Sequence, residues 1–559
     1  MDKKELVKIV NRQWAELKET HDKWKPEWQD VIDFVARKNI DLNQTKKQGD
    51  KPRALPQIYD TTALESAKMT RYGMQGYTCN QSLTWMKFKT EREEIMDLNG
   101  MRKWLGECET HIYSVLAKSN FYEAIGETIF DSNTLGTTLF YPEENEELSG
   151  VTFIVKDVSE FVIDENRKGE IDTVLRKFTV KLYRAVDQFD LPEELVRTVD
   201  NNPSREIVFI HAVFPSASRD YAKVGLDTKW KFSSVYIMEG NSEWCKVGGY
   251  NSNPYAVWRW EKRSGDPYGK SPALDSITDI KIINQMSKTM LRGAHKSVDP
   301  AYAVIGKSRV PDLNPGREVR VTSRDEVPVL INSTGPGYQL AVDQFNRVAD
   351  RIRKQFHSDL FLMMEQAAGN NMTAREVIER QGEKAAVLGA IVSRMTSELF
   401  DPIIDRVWDI EMNANRLPQI PIELAQALAE AGQDASRIKI DYQGPLAQAQ
   451  KKYHQTNGIQ QILGTIIPMV QVRPDILDNF DLDGMLRTLA ESDGVQADLV
   501  IDKEKVEMVR KQRAQMQQQQ AQQQQQMMLA ELAAKTGKAP EQGSPGDMVM
   551  QASGAKRPA

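Results

Sequence analysis

The chain has 559 residues, of which 40% are hydrophobic, and 73 Lys and Arg stand against 79 Asp and Glu for a net charge of −6. This composition excludes a mostly disordered chain and a protein that clings to nucleic acid or anionic membrane through bulk positive charge. The length fits roughly three or four domains. Three scattered cysteines (Cys79, Cys108, Cys245) make neither a disulfide framework nor a Cys-based zinc site. The charged start, Met1–Glu5, is not expected to act as a signal peptide, and no run of 18 apolar residues marks a membrane span. A soluble protein of a reducing compartment is expected.

In chain order, Leu6, Ile9, Val10, Trp14 and Leu17, then Trp24, Trp28, Val31, Ile32 and Val35, predict two amphipathic helices divided at Pro26. A polar stretch from Asn43 to Pro56 is a loop. Helices are predicted from Asp60 to about Gly76, from Met101 to Ser119, and from Phe121 to Leu135, the last stopped by Gly136. From Thr137 to about Trp260 short β-branched and aromatic runs alternate with turn residues, which predicts strands at 137–141, 151–155, 207–210 and 255–258. Ser271 and Pro272 then open a rod of roughly 24 residues, with Leu274, Ile277, Ile280, Ile283, Met286 and Met290 on one stripe. A β-textured segment, 301–340, leads to a second rod over 342–364 with Phe345, Val348, Ile352, Phe356 and Leu360 on its face. After a Gly-Asn loop, the capping box Thr373–Glu376 starts a long helix to about Ala414 that Pro402 should kink. Further helices are expected over 445–513. A Gln-rich stretch over 515–526 opens a tail of disordered character.

Little in this sequence carries chemistry. Gly265-Asp266-Pro267-Tyr268-Gly269-Lys270-Ser271 mimics a phosphate loop ahead of a helix, but its glycines are one residue too close. Asp266 adds negative charge and Pro267 lacks a donor, so a helix-capping turn is the better reading. An ATPase or nuclease using that string is the alternative from the enzyme class. The six histidines are dispersed, no pair has metal-site spacing, and no acid/base couple stands out. No enzyme, metal or cofactor is expected. Arg347, Arg351, Arg353 and Lys354 interleave with Asp343, Asp350 and Asp359, the pattern of a solvated, subunit-facing or DNA-facing helix surface. Arg317, Arg320 and Arg324 between the rods leave the same choice. The aromatics Trp14, Trp24, Trp28 and Phe34 read as packing, not as a platform for bases.

Two rods around a β insert, a Gly-Asn loop and a long kinked helix form an uncommon order. The strings that carry it are Asp266–Asp275, Arg292–Pro300, Met372–Val377 and Ser397–Ile404, with Tyr59–Ala63, Ser119–Glu123, Ile163–Glu165 and Ile171–Val174 before them. Over about residues 1–510 the chain resembles the portal (head-to-tail connector) proteins of short-tailed, podovirus-type bacteriophages. The resemblance implies a mainly helical α+β fold that assembles as a dodecameric ring at one capsid vertex, in the virion, after assembly in the host cytoplasm. It implies a wing from 1–270 and 374–440, stem helices at 271–296 and 341–366, and a clip at 297–340. A tunnel loop at 367–373, a crown at 441–510 and a tail at 511–559 complete the order. Gly369, Asn370, Asn371 and Met372 would face the DNA. Lys288, Arg292, Arg347, Arg351, Arg353 and Lys354 would be tunnel or inter-subunit stem charges. Arg317, Arg320, Arg324, Asp325 and Glu326 would meet terminase or tail adaptor proteins. Implied partners are further copies of the chain, the major capsid protein, terminase, tail proteins, scaffold or internal core proteins and double-stranded DNA, with no membrane.

Overall fold

The computed structural model describes residues 3–38, 40–42, 56–90, 93–96, 100–145, 149–217, 229–241, 243–298, 302–303, 329–330, 337–361, 387–422, 424–426, 439–444, 481, 483–487 and 503–536. Two compact units divide the chain, Met1–Tyr453 and His454–Ala559.

In the first unit, α1 (Lys3–Val31) is one helix with Pro26 inside it, not two, and it ends in a π-turn at Ile32–Ala36. Tertiary packing overrides the proline. Trp24 and Trp28 stack on either side of it at 6.0 Å, and His21 and Tyr268 close around them. The helices α2 (Thr62–Thr78), α3 (Met101–Lys118) and α4 (Phe121–Leu135) follow the predicted boundaries within about two residues. Gly136 stops α4 in the left-handed region, φ 86°.

Two antiparallel sheets follow. In the smaller, β1 (Thr137–Glu144) lies between β2 (Val151–Lys156) and a later strand, Ala256–Arg259. The larger is a five-stranded meander. Its strands are β3 (Phe161–Glu165), β4 (Ile171–Lys181), β5 (Glu206–Pro215), β6 (Phe232–Met238) and β7 (Trp244–Tyr250), in that order. One face buries Leu175, Ile210, Ala212, Phe214 and Val235 against Leu6, Val7 and Val10 of α1. On the other side, Phe209 packs with Leu182 and Ala185 of a short helix, Leu182–Gln188. Period-two alternation puts these two sets on opposite faces.

The first rod, Pro272–Val298, begins one residue after its predicted cap. The Ser271 hydroxyl accepts from the Leu274 N–H at 3.1 Å, the bond expected of an N-cap. Between the rods, Tyr302–Ala303 pairs with Val329–Leu330. The second rod, Gly337–Gln355, is shorter than predicted, because the chain breaks helical geometry at His357 (φ 55°) before a further turn at 358–361. The long helix is described from residue 387. Thr396–Phe400 is a π-turn, and Pro402 falls in the first turn of the continuing helix, Asp401–Asn413. The Asp401 N–H reaches back to the Thr396 carbonyl, so the wider turn makes room for the proline ring, which would press on a carbonyl four residues earlier in a regular helix. The capping box Thr373–Glu376 lies outside the described residues. In the second unit, Lys503–Thr536 is one helix. The expected disorder is therefore corrected over 515–536, where Gln, Met, Ala and Leu are all good helix formers.

His211 sits in the middle of the larger sheet, fully buried. Its Nδ1 meets the Tyr255 hydroxyl, its Nε2 lies 2.8 Å from the Ser234 hydroxyl, and its ring stacks on Tyr236 at 3.9 Å. Burial, helped by the positive charges of Arg176 and Lys246, holds its pKa well below the usual 6.5. The unfolded chain therefore binds a proton that the folded chain refuses. The stability that His211 contributes is complete above pH 6.5 and is lost as pH falls below it, at up to about 1.4 kcal/mol per pH unit. Melting curves of His211→Gln should show a shallower fall between pH 6.5 and 5 than wild type. Parallel slopes would show that His211 is not held neutral.

Candidate assembly and DNA-channel elements

The root of the first rod is built by the turn that imitates a phosphate loop. Glu261–Lys262 and Gly269–Lys270 form a two-stranded ribbon around it. Gly269 N–H donates to the Thr137 hydroxyl at 2.8 Å, and the Ser271 hydroxyl donates to the Thr134 carbonyl. Tyr268 is buried between His21 and Trp28, and Lys270 Nζ lies 3.6 Å from Asp275. These engaged donors and the engaged lysine leave no phosphate cradle in the string. The turn crosses the end of α4 at very short range. A Cβ on Gly269 would lie 2.5 Å from the Gly136 carbonyl oxygen and 2.8 Å from Arg259 Cβ. Only hydrogen fits there.

Beneath the turn lies Arg259, with none of its surface exposed. Its guanidinium donates to both Glu398 oxygens, Oε1 at 2.6 Å and Oε2 at 3.3 Å, to Glu165 at 2.9 Å, and to the carbonyls of Gly169 at 2.8 Å and Pro267 at 3.4 Å. Every one of its donors is used. Its backbone N–H also reaches Glu398, at 3.0 Å. Lys262 joins at 2.8 Å from Glu165, so two cations meet two carboxylates. Burial alone would raise the Glu165 pKa, but the hydrogen bonds from Lys262 and Arg259 outweigh it and hold the carboxyl below its ordinary value. Sequence reasoning missed this cluster. Its partners are 94 and 139 residues apart, and no local pattern joins them.

From this root the rods run side by side. Leu274, Ile280 and Ile283 share one core with Val348, Ala349, Ile352 and Phe356, and with Ala63, Ala67 and Leu135 of α2 and α4. Arg351 pairs across the rods with Asp279 at 3.0 Å, and Arg353 pairs with Asp350 on its own rod at 2.9 Å. Lys288 lies over the Tyr59 ring, 5.5 Å from its centroid, while Arg292, Arg347 and Lys354 are exposed. Among the described residues these last four basic groups meet no carboxylate. At about 100° per residue, Lys281, Lys288 and Arg292 fall within about 40° of one another on the first rod. That rod carries no acid beyond Asp279, so its farther half presents an unmixed basic face. Arg347, Arg351 and Lys354 share a face with Asp343 and Asp350, a mixed one. Apolar side chains are also left open along both rods: Ile282 (43%), Leu291 (48%) and Val298 (88%), and Tyr338 (41%) and Leu340 (62%). The loop residues Gly369, Asn370, Asn371 and Met372, and Arg317, Arg320, Arg324, Asp325 and Glu326, lie outside the described residues. Among the described residues no helix is long and apolar enough to cross a membrane.

Residues 7–501 match the family described as bacteriophage head to tail connecting protein. The chain belongs to that family. This connector is 26% identical over 558 residues to a probable portal protein of Bordetella phage BPP-1, covering 95% of each chain. It is also 26% identical over 528 residues to the portal protein of Salmonella phage epsilon15, covering 90% of each. Arg259→Met in the connector should cost about 1.5–3 kcal/mol, because it takes the shared cation and its charge-assisted hydrogen bonds from the half-buried Glu398 and Glu165. Glu398→Gln, which keeps an acceptor, should cost less. Denaturant titration measures both, and equal small losses would show that the cluster is not a keystone.

Proposed function

We propose that this connector is the portal of its phage: a ring of identical chains at one capsid vertex, through which double-stranded DNA enters during packaging and leaves during ejection. The observation that carries this reading is the family match across nearly the whole chain, which fixes a head-to-tail connecting role. The rods give it a physical form. Their inner faces are covered by their own chain, while Ile282, Leu291, Val298, Tyr338 and Leu340 stay open. Head-to-tail copies in a closed ring would cover such side chains with the next subunit.

In this reading 1–270 with 374–440 is the wing, the two rods are the stem, 297–340 is the clip that meets terminase and later the tail adaptor, and 441–510 is the crown. The capsid protein, and scaffold or internal core proteins, would meet the wing and crown. Lys288 and Arg292, with Arg347 and Lys354, would be either channel-lining charges or contacts to the adjacent subunit. The loop 367–373 would meet the moving duplex through Gly369, Asn370, Asn371 and Met372, short uncharged groups that do not grip phosphates. The role is that of a conduit and docking platform in the virion and needs no catalysis. The string at Gly265–Ser271 serves it as the anchor of a stem helix.

The reading is tested by exchanging Asn370 and Asn371 for Lys. Rings should still form, while the yield of DNA-filled capsids falls at least tenfold, because two lysines per subunit would bind passing phosphates. Unaltered filling would remove the loop from the DNA path, and loss of rings would make it a joint of the assembly.

A further inference from the structure

The end of the second rod departs from helical geometry in a way that its neighbours have been shaped to hold. The ladder is regular as far as Phe356, whose N–H donates to the Ile352 carbonyl at 3.1 Å. His357 then takes a φ of 55°, a conformation that side chains other than glycine rarely adopt. Its N–H donates to Lys354 at 3.0 Å instead of Arg353, and Leu360 N–H donates to His357 at 3.2 Å instead of Phe356. The carbonyls of Arg353 and Phe356 thereby lose their helical donors. Each receives a hydroxyl in exchange. Ser358 Oγ donates to Arg353 at 3.0 Å, and Thr70 Oγ1, on α2, donates to Phe356 at 2.6 Å. Thr70 is closer to Phe356 than to the Ser66 carbonyl of its own helix, 3.0 Å away. Both hydroxyl residues are buried.

The bend also divides two aromatic side chains between two cores. Phe356 packs with the rods, while Phe361 enters the core of α3, α4 and the long helix that carries the π-turn. It reaches that core past Gly73 of α2, where a Cβ would come within 2.2 Å of its ring.

We propose that Phe356–His357 is a strained joint in the second rod, held bent by the hydroxyls of Thr70 and Ser358 and able to exchange with a continuous helix. Straightening returns the His357 N–H to Arg353 and the Leu360 N–H to Phe356, so backbone hydrogen bonds are exchanged, not lost. It also relieves the left-handed residue. Against this stand the Thr70 and Ser358 bonds and the burial of Phe356 and Phe361. With backbone terms so nearly matched, those few contacts set the equilibrium. In the sequence the joint lies just ahead of 367–373, and it is a property of the chain whether or not the portal reading holds.

The full-length protein and its variants decide the matter by denaturant unfolding and by hydrogen–deuterium exchange. At a left-handed residue His357→Gly should lower the unfolding equilibrium constant about fivefold, and His357→Ala should not. The reverse order, with glycine weakening and alanine strengthening the fold, is the behaviour of an ordinary helical position and overturns the joint. Thr70→Val keeps the side-chain shape and should speed exchange across 354–361 about tenfold while leaving peptides of the first rod unchanged, with Thr70→Ser restoring the slow rate. Exchange that does not respond, or that rises equally in the first rod, contradicts a hydroxyl-held joint.

Discussion

A buried guanidinium is costly to desolvate, and its cost is offset here only because three distant segments converge on it. Glu398 comes from the π-turn of the long helix, Glu165 and the Gly169 carbonyl from the edge of the large sheet, and the Pro267 carbonyl from the turn that launches the first rod. Arg259 itself belongs to a strand of the small sheet. None of these pieces can shift far without leaving a donor or a carboxylate unmatched in the interior. The position of the rod relative to both sheets and to the long helix therefore follows from one side chain and its partners. The glycine contact between positions 136 and 269 has the same consequence by steric means, since it lets two backbones touch where a methyl group would part them.

Burial then declines along the rods. At the root, Leu274, Ile280 and Ile283 are sealed against the second rod and the helices beneath. Farther out, Met286 and Met290 are half-buried, and Leu291 and Val298 are open. A rod that is covered at one end and apolar and basic at the other is poorly matched to water by itself. In the proposed ring it is completed by neighbours and by the channel. The net charge of −6 fits the same picture, since a conduit for sliding DNA has to avoid tight adhesion. The joint at His357 adds a degree of freedom to a rod whose partner is fixed at the Arg259 cluster.

Much of the fold could be read from local patterns. Phe121–Leu135 and its Gly136 stop, the Ser271 cap and the first rod are visible because periodicity, cap and terminator agree within a few residues. Pro26 misled, because Tyr268, which packs on Trp24 and Trp28 of α1, comes from far along the chain. At Pro402 the sequence predicts a kink, while the described helix has a π-turn just before it that leaves room for the proline ring and carries Glu398 to Arg259. The end of the second rod was read as continuous because Phe345, Val348, Ile352, Phe356 and Leu360 keep helical spacing, and nothing local announces that Thr70 takes the Phe356 carbonyl. The charged candidates on the rods were legible as residues, although only the paired structure separates Arg351, bound to Asp279, from Arg347 and Lys354, which meet no carboxylate among the described residues.

The central claim is that this chain closes into a ring whose rods surround a channel. Electron microscopy of the purified full-length protein, viewed end-on, tests it most directly. The account predicts closed rings with an axial opening, with Pro272–Val298 near the channel and Ile282 and Leu291 covered by the adjacent subunit. Particles that remain monomeric or dimeric under every condition, with those side chains still open to solvent, would contradict it.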